Sequence, residues 1–340
     1  MNAARAPILF AVLLAALLAA PAAGAAGEWI WSGDIGLGLR YFGQEPQYAG
    51  QEEGLEGSTA LNLEAAWFGD HARASLQPFL RLDSADSQRS HFDLREAYWA
   101  YEGAGWEVLV GLNKVFWGVT ESRHLVDIIN QTDLVEDPDQ EQKLGQPMVR
   151  ALLERDWGQL ELYLMPWFRE RTFPGESGRL RPPLAVDTDA ALYESAAEEH
   201  HADIALRWSH YFGDADFGVH AFHGTGREPK LLASPDGQRL VPFYFQTTQA
   251  GVDAQYTRGA WLWKLEVLGR DGLEDRYAAG VTGFEYTLYG LRGGASDLGL
   301  LVEYLHDGRG ESEPVTVFDD DWFIGARWAL NDTQDLSLIH

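Results

Sequence analysis

The chain has 340 residues, no cysteine and a formal net charge of −26, with 36 glycines and an aromatic fraction of 12%. Without cysteine there is neither a disulfide framework nor thiol chemistry, and so large an acidic excess argues against nucleic acid as a partner. Arg5, the apolar run 8–20 and the small-residue site Ala23-Gly24-Ala25 form a secretory signal peptide over 1–26, too short and wrongly flanked for a membrane helix. No later segment reaches the roughly 18 consecutive apolar residues of a spanning helix, so the exported segment 27–340 is either a soluble β-protein or a β-barrel.

Period-2 alternation starts at once. Trp31, Ile35, Leu37, Leu39 and Tyr41 share one face; Ser32, Asp34 and Arg40 share the other. Leu61, Leu63, Ala65 and Trp67 then oppose Asn62 and Glu64, and after a tight turn at Gly69-Asp70 come Ala74, Leu76, Leu80 and Leu82 against Arg73, Gln77 and Arg81. Pro78 cannot donate to a ladder and marks a bulge or weak position there. His91–Tyr101 is less clean, because Leu94 and Trp99 have opposite parity, which leaves open whether Arg95 or Glu96 faces inward. Val108 and Val110 alternate with Glu107 and Leu109, and beyond a long interruption Val149, Ala151 and Leu153 oppose Arg150 and Glu154. Leu160, Leu162, Leu164 and Phe168 oppose Glu161 and Arg169.

The second half continues likewise. Ile204 and Leu206 oppose Asp203 and Arg207; Val219 and Ala221 oppose His220; Val252 and Ala254 oppose Gln249 and Asp253. Trp263, Leu265 and Val267 oppose Lys264 and Glu266, Phe284 and Tyr286 oppose Glu285, Leu300 and Val302 oppose Glu303, and Trp322 and Ile324 oppose Arg327. These are about fourteen strands of about ten residues, the length of a tilted transmembrane strand, and Asp335–His340 begins a fifteenth. Short turns near 69, 103, 156, 213, 258, 293 and 331 alternate with longer links near 43–57, 84–90, 114–146, 169–199, 225–245, 271–276 and 307–320. That rhythm is the one of short periplasmic turns and long extracellular loops, whereas a soluble sandwich has no reason to keep it. The aromatic pairs Tyr41-Phe42, Trp67-Phe68, Trp167-Phe168, Tyr211-Phe212 and Trp322-Phe323 stand near strand ends, where interfacial girdles belong. The expectation is an all-β, antiparallel up-and-down transmembrane barrel of about 16 strands in the complete protein, about 14–15 of them present, and shortened by about one strand at the C-terminus, since single-chain bacterial barrels close with an even number.

The segments Leu94-Arg95-Glu96-Ala97-Tyr98, Leu109-Val110-Gly111 and Phe116-Trp117-Gly118 together resemble the strand-turn-strand-loop signature of Gram-negative outer-membrane porins, in particular a subgroup whose long third loop opens with a Trp-Gly pair. The match is detailed over about 90–150 and rhythmic elsewhere; Asn113-Lys114 departs from it. What the resemblance implies is an outer-membrane pore with its third loop folded into the lumen, an exterior in contact with lipid and lipopolysaccharide, and a homotrimer.

Residues 114–146 are therefore the expected constriction. A short helix from Thr120 or Glu121 to Ile129 would pack Leu125, Ile128 and Ile129 on the wall. Its charged residues Glu121, Arg123, Asp127, Asp133, Glu136, Asp137, Asp139 and Glu141 are mostly acids, which favour cations in a pore. Opposite them the inward parity offers Arg40, Arg73, Arg81, Arg150, Arg207 and Arg327, with Arg95 undecided, and an acidic loop facing a basic wall would set a transverse field; the plainer reading pairs these arginines with lumenal acids such as Glu161 and Asp253. Glu198-Glu199-His200-His201 has metal-ligand chemistry, but adjacent strand residues point to opposite faces, so it reads as a solvated loop end. Asn130-Gln131-Thr132 has the form of a glycosylation acceptor, a poor reading in a bacterial chain. No nucleophile elbow, phosphate loop or dinucleotide fingerprint is present, so no enzyme, metal or cofactor is expected. The function expected is passive diffusion of small hydrophilic or charged solutes with cation preference; the alternatives are a gated channel for an apolar compound or a polymer and, more distantly, a soluble binding protein.

Overall fold

The computed structural model describes residues 27–137, 139–331 and 334–339. The expected signal peptide lies outside the described residues, as do positions 332 and 333 of the last turn. Strands occupy the stretches of alternating sequence: β1 (Gly27–Phe42), β2 (Gly54–Gly69), β3 (Ala72–Asp83), β4 (His91–Gly103), β5 (Trp106–Asn113), β6 (Gln146–Arg155) and β7 (Gly158–Met165) in the first half. After the minimal β8 (Leu192–Tyr193) come β9 (Asp203–Phe212) and β10 (Ala215–Thr225), and then the short β11 (Lys230–Ala233) and β12 (Leu240–Tyr244). The chain ends in β13 (Gln246–Arg258), β14 (Trp261–Asp271), β15 (Arg276–Leu288), β16 (Asp297–Asp307), β17 (Asp320–Asn331) and β18 (Gln334–Ile339).

Fifteen of these form one antiparallel sheet in chain order, omitting only β8, β11 and β12, which make a separate three-stranded sheet. Each strand of the large sheet pairs with its predecessor, as an up-and-down meander requires. Among the described residues β1 pairs with β2 alone and β18 with β17 alone. The three-stranded sheet is built from the links 166–202 and 226–245, which the alternation had marked only as loops.

Side-chain burial is inverted relative to a water-soluble sandwich. On β14 the outward Trp263, Leu265 and Val267 are 48%, 39% and 42% exposed, while Glu266 between them is 0% exposed. The same holds for Ile204 and Leu206 against the buried Asp203, and for Leu162 and Leu164 against Tyr163. An apolar exterior over a charged interior is stable where the outer solvent is lipid.

Two local features correct the simple alternation. Opposite Gln77 and Pro78 the β3–β4 register slips, Gln77 facing Glu96 and Pro78 facing Leu94, so Arg95 is the extra residue of a bulge. The bulge resolves the parity conflict of His91–Tyr101, because Asp93 and Arg95 face inward before it and Glu96, beside Lys114, after it. The aromatic girdle is less regular than expected. Tyr41, Tyr211, Phe212 and Trp322 are exposed, but Trp67 is buried, folded over the backbone of Gly27 and Gly69, and Phe168 lies beyond the end of β7 and turns inward onto Tyr244 at a ring distance of 4.9 Å.

Lipid exposure of the odd face of β14 is testable. Leu265→Arg should cost about 2–4 kcal/mol of folding free energy in phospholipid vesicles, measured by urea titration, whereas Asn62→Arg on the lumenal face of β2 should be tolerated.

Candidate functional site

The segment 114–145 leaves β5, crosses the lumen and returns to β6, forming a strap that touches two distant parts of the wall. The expected helix over Thr120–Ile129 does not form; the segment is turns and extended backbone. The reason is chemical. The amides that a helix would bond internally are taken by two wall carboxylates. Glu266 of β14 accepts hydrogen bonds from the Val119 and Thr120 amides at 2.7 and 2.9 Å, from the Thr120 hydroxyl at 2.7 Å and from the Val126 amide at 3.0 Å. Glu303 of β16 accepts from the Glu121 and Ser122 amides at 2.9 and 2.8 Å. A buried carboxylate without a cationic partner is costly, and several amide donors are what make its burial tolerable.

The Phe116-Trp117-Gly118 opening sets this crossing. Trp117 is buried edge-on to Tyr163 at 5.6 Å, with the Arg207 guanidinium 5.3 Å from its ring. Gly118 has φ +130°, and a Cβ there would stand 2.8 Å from Glu266 Oε1, so the close approach of carboxylate to backbone requires glycine. Phe116 is exposed and meets His124 edge-on. The apolar anchors fall as expected: Ile128 and Ile129 pack with Leu109, Met148, Tyr163 and Phe222, and Leu125 with Leu268, Val281 and Leu305. Asn130 ties the two ends of the strap together, accepting from the Val115 amide and donating to the Asn113 and Leu144 carbonyls. Its side-chain amide is buried and fully engaged, so it is no glycosylation acceptor.

The charged strap residues meet the wall in contact pairs. Arg81 donates to both oxygens of Glu136 at 2.8 Å, and Arg95 to Asp133 at 2.6 Å. Glu121 accepts from Lys264 at 2.8 Å. Burial pushes the Glu121 carboxyl up, but Lys264, Arg327 and His124 outweigh it and hold it below the usual carboxylate range. Glu141 is 3.3 Å from His124, Arg123 reaches Glu228 and Asp307, and Asp139 caps the Glu141 amide. Asp127 is enclosed 3.5 Å from Lys143, with no hydrogen bond to either oxygen among the described residues. Burial pushes its carboxyl up, with Lys143 and His124 opposing.

The expected basic wall is thereby divided. Arg81 and Arg95 hold the strap, and Arg40 and Arg327 stand beside Asp137 and Glu121. Arg207 pairs with Asp253 at 2.6 Å, while Arg73 and Arg150 both turn to Glu107 on β5, away from the strap. A field set across open space is thus replaced by ion pairs in contact. Lys264, Glu266 and Glu303, which do most of the anchoring, were visible in the sequence only as inward-facing positions. Glu198–His200 forms a 3-10 turn, and His201 turns to Asp203 at 2.9 Å; no cluster of metal-ligating side chains occurs among the described residues.

Between the strap and β1–β4 lies a polar cleft of about 550 Å3, lined among others by Asp34, Asn62, Glu64, Gln77, Arg81, Arg95, Lys114, Glu136 and Asp137. Arg81 and Arg95 are already paired, with Glu136 and Asp133, which leaves Asp34, Glu64, Asp137 and Lys114 as the other charged groups lining it.

No protein-family model matches the chain, and no curated protein does. Among solved structures it is similar to Wzi of Escherichia coli, an outer-membrane protein involved in group 1 capsule assembly and described as a carbohydrate-binding β-barrel, at 12% identity and a TM-score of 0.50 over 92% of this chain and 68% of that one. OmpT of Vibrio cholerae gives 11% identity and 0.49 over 89% and 83%, and Salmonella typhi OmpF in complex with daunomycin 10% and 0.46 over 93% and 89%. At these identities the likeness is one of fold, that of an outer-membrane β-barrel.

Two outcomes test the strap. Glu266→Ala strands four donors, each worth about 1–3 kcal/mol when buried unpaired, and Gly118→Ala pushes the same carboxylate away; both should make residues 119–126 cleavable by protease while the barrel stays folded. Because burial raises the Asp127 carboxyl, its contribution to anchoring is present below the ordinary carboxylate range and lost as pH rises through the raised value. Strap proteolysis should therefore speed up with rising pH, and Asp127→Asn should flatten that dependence.

Proposed function

We propose that the protein is an outer-membrane diffusion channel for small hydrophilic or charged solutes, with the strap 114–145 as its constriction and the cleft beside β1–β4 as its passage. The observation that carries this reading is the position of the strap. It is anchored on β3 and β4 by Arg81–Glu136 and Arg95–Asp133, and on β14 and β16 by Glu266 and Glu303. An element fixed on both sides leaves only the space beside it, and that space is polar, as a solute path in a barrel must be.

Cation preference follows from the same cleft, where three acids outnumber one lysine once the contact pairs are set aside. Acidic linings favour cations. The preference is modest, because three of the seven strap acids, Glu121, Asp133 and Glu136, are paired with wall cations. Lipid and lipopolysaccharide contact the apolar exterior in this reading, and the porin resemblance adds a homotrimer. The buried Trp117 and the many strap anchors favour a second reading, a gated channel that opens only for its own solute, such as an apolar compound or a polymer.

Planar-bilayer recordings decide. The reversal potential in a KCl gradient should report cation preference, reduced in an Asp34→Asn, Glu64→Gln variant; anion preference would reject the proposal. Deletion of 121–141 should raise single-channel conductance severalfold. A linear current–voltage curve without solute block would dismiss the gated alternative.

A further inference from the structure

On the opposite side of the strap from the cleft, four arginines from four different segments gather around one carboxylate. Glu228, in the link 226–229 between β10 and β11, has Arg123 of the strap 3.0 Å from Oε1; Arg309, from the link 308–319, and Arg270 of β14 lie 2.9 and 3.5 Å from Oε2. Asp307 at the end of β16 is the second acid, 3.2 Å from Arg123 and 2.7 Å from Arg309. Arg171, from the link 166–202, stands beside them, close enough for its charge to act on both Glu228 and Arg123.

The charges of this group do not balance. Four guanidinium groups face two carboxylates, in a chain whose overall charge is strongly negative. Arginine does not release its proton in proteins, so the excess of two positive charges is permanent. Arg171 is where the imbalance is exposed. Its Nε donates to Gln131 Oε1 at 3.2 Å, but its two terminal nitrogens have no acceptor among the described residues. Arg123, Arg270 and Arg309 by contrast are spread over Thr316, Gln249, Tyr277 and the two acids. Burial pushes the Glu228 carboxyl up, yet the surrounding arginines outweigh it and hold it well below the usual carboxylate range. The group is reachable from water, since the side chains of Glu228 and Arg123 are 27% and 18% exposed.

We propose that this cluster binds the oxyanion end of a solute, a carboxylate or a phosphate, through the free edge of the Arg171 guanidinium together with Arg123 and Arg270, and in competition with Glu228. The planar fork of arginine is suited to two-oxygen anions, and Glu228 occupies the place such an anion would take. The proposal goes beyond the channel reading: it assigns an anion site to a barrel whose cleft favours cations.

Calorimetric titration of the detergent-solubilised full chain at low ionic strength tests it without requiring conduction, so its failure leaves the channel reading untouched. Inorganic phosphate and glutarate are the two probes. Saturable binding of phosphate alone identifies a phosphate site, of glutarate alone a carboxylate site, and of both a general oxyanion site. In each case Arg171→Gln should weaken binding about tenfold, the scale of one charge-assisted hydrogen bond, and added KCl should weaken it further. Glu228→Gln should strengthen it by removing the competitor. Among the described residues Arg171 makes a single side-chain hydrogen bond, so its variant decides the matter even if Glu228→Gln does not fold. Absence of saturable binding for both probes, or unchanged affinity in Arg171→Gln, overturns the proposal.

Discussion

The carboxylate of Glu266 is the interaction on which the interior depends. It sits on a strand among outward tryptophans and is itself wholly enclosed, yet among the described residues it has no ion-pair partner; backbone amides of the strap take that role. The strap in turn gives up helical structure to supply them. The placement of Trp117 and the need for glycine at 118 follow from that exchange. Charge on the wall is satisfied by dipoles from the loop, which holds the loop in place with less dependence on salt than ion pairs would show.

Elsewhere the interior uses ion pairs, and their arrangement explains why a strongly acidic chain has so few free acids in its lumen. Glu107 gathers Arg73 and Arg150, Asp253 takes Arg207, and Asp133 and Glu136 take Arg95 and Arg81. The paired residues stand 34 to 55 positions apart in the chain. The lumen is thereby a cross-linked polar core, with a few acids by β1–β4 on one side of the strap and an arginine excess by β14 and β16 on the other.

Much of this was legible in the sequence because a membrane barrel obeys a period of two. The link 84–90 coincides with the gap between β3 and β4, the long loop is displaced by a single residue at its end, and the fifteen strands of the large sheet were all marked by alternation. Pro78 announced its bulge, since a residue without an amide cannot hold a regular ladder. Where periodicity ends, legibility ends with it. The amphipathic spacing of Leu125, Ile128 and Ile129 located the residues that pack but suggested a helix, because nothing local reveals that Glu266 and Glu303, about 140 and 180 positions away, will claim the amides. The arginine cluster was invisible for the same reason: Arg123, Arg171, Glu228 and Arg309 come from four links, and only the folded wall brings them together. The three-stranded sheet was missed because strands of two to five residues carry too little pattern to register.

The strap also bears on how such a molecule can be assembled. Residues 119–126 are held by β14 and β16, strands made well after the strap itself, and the return arm is held by β3 and β4, made before it. A wall that curled shut first would leave a thirty-odd-residue segment to be pushed through a narrow mouth with its amides unsatisfied. The topology favours the reverse sequence of events, in which the early hairpins hold the strap against their concave face and the later strands wrap around it, so that the strap serves as a mandrel on which the second half of the wall is wound.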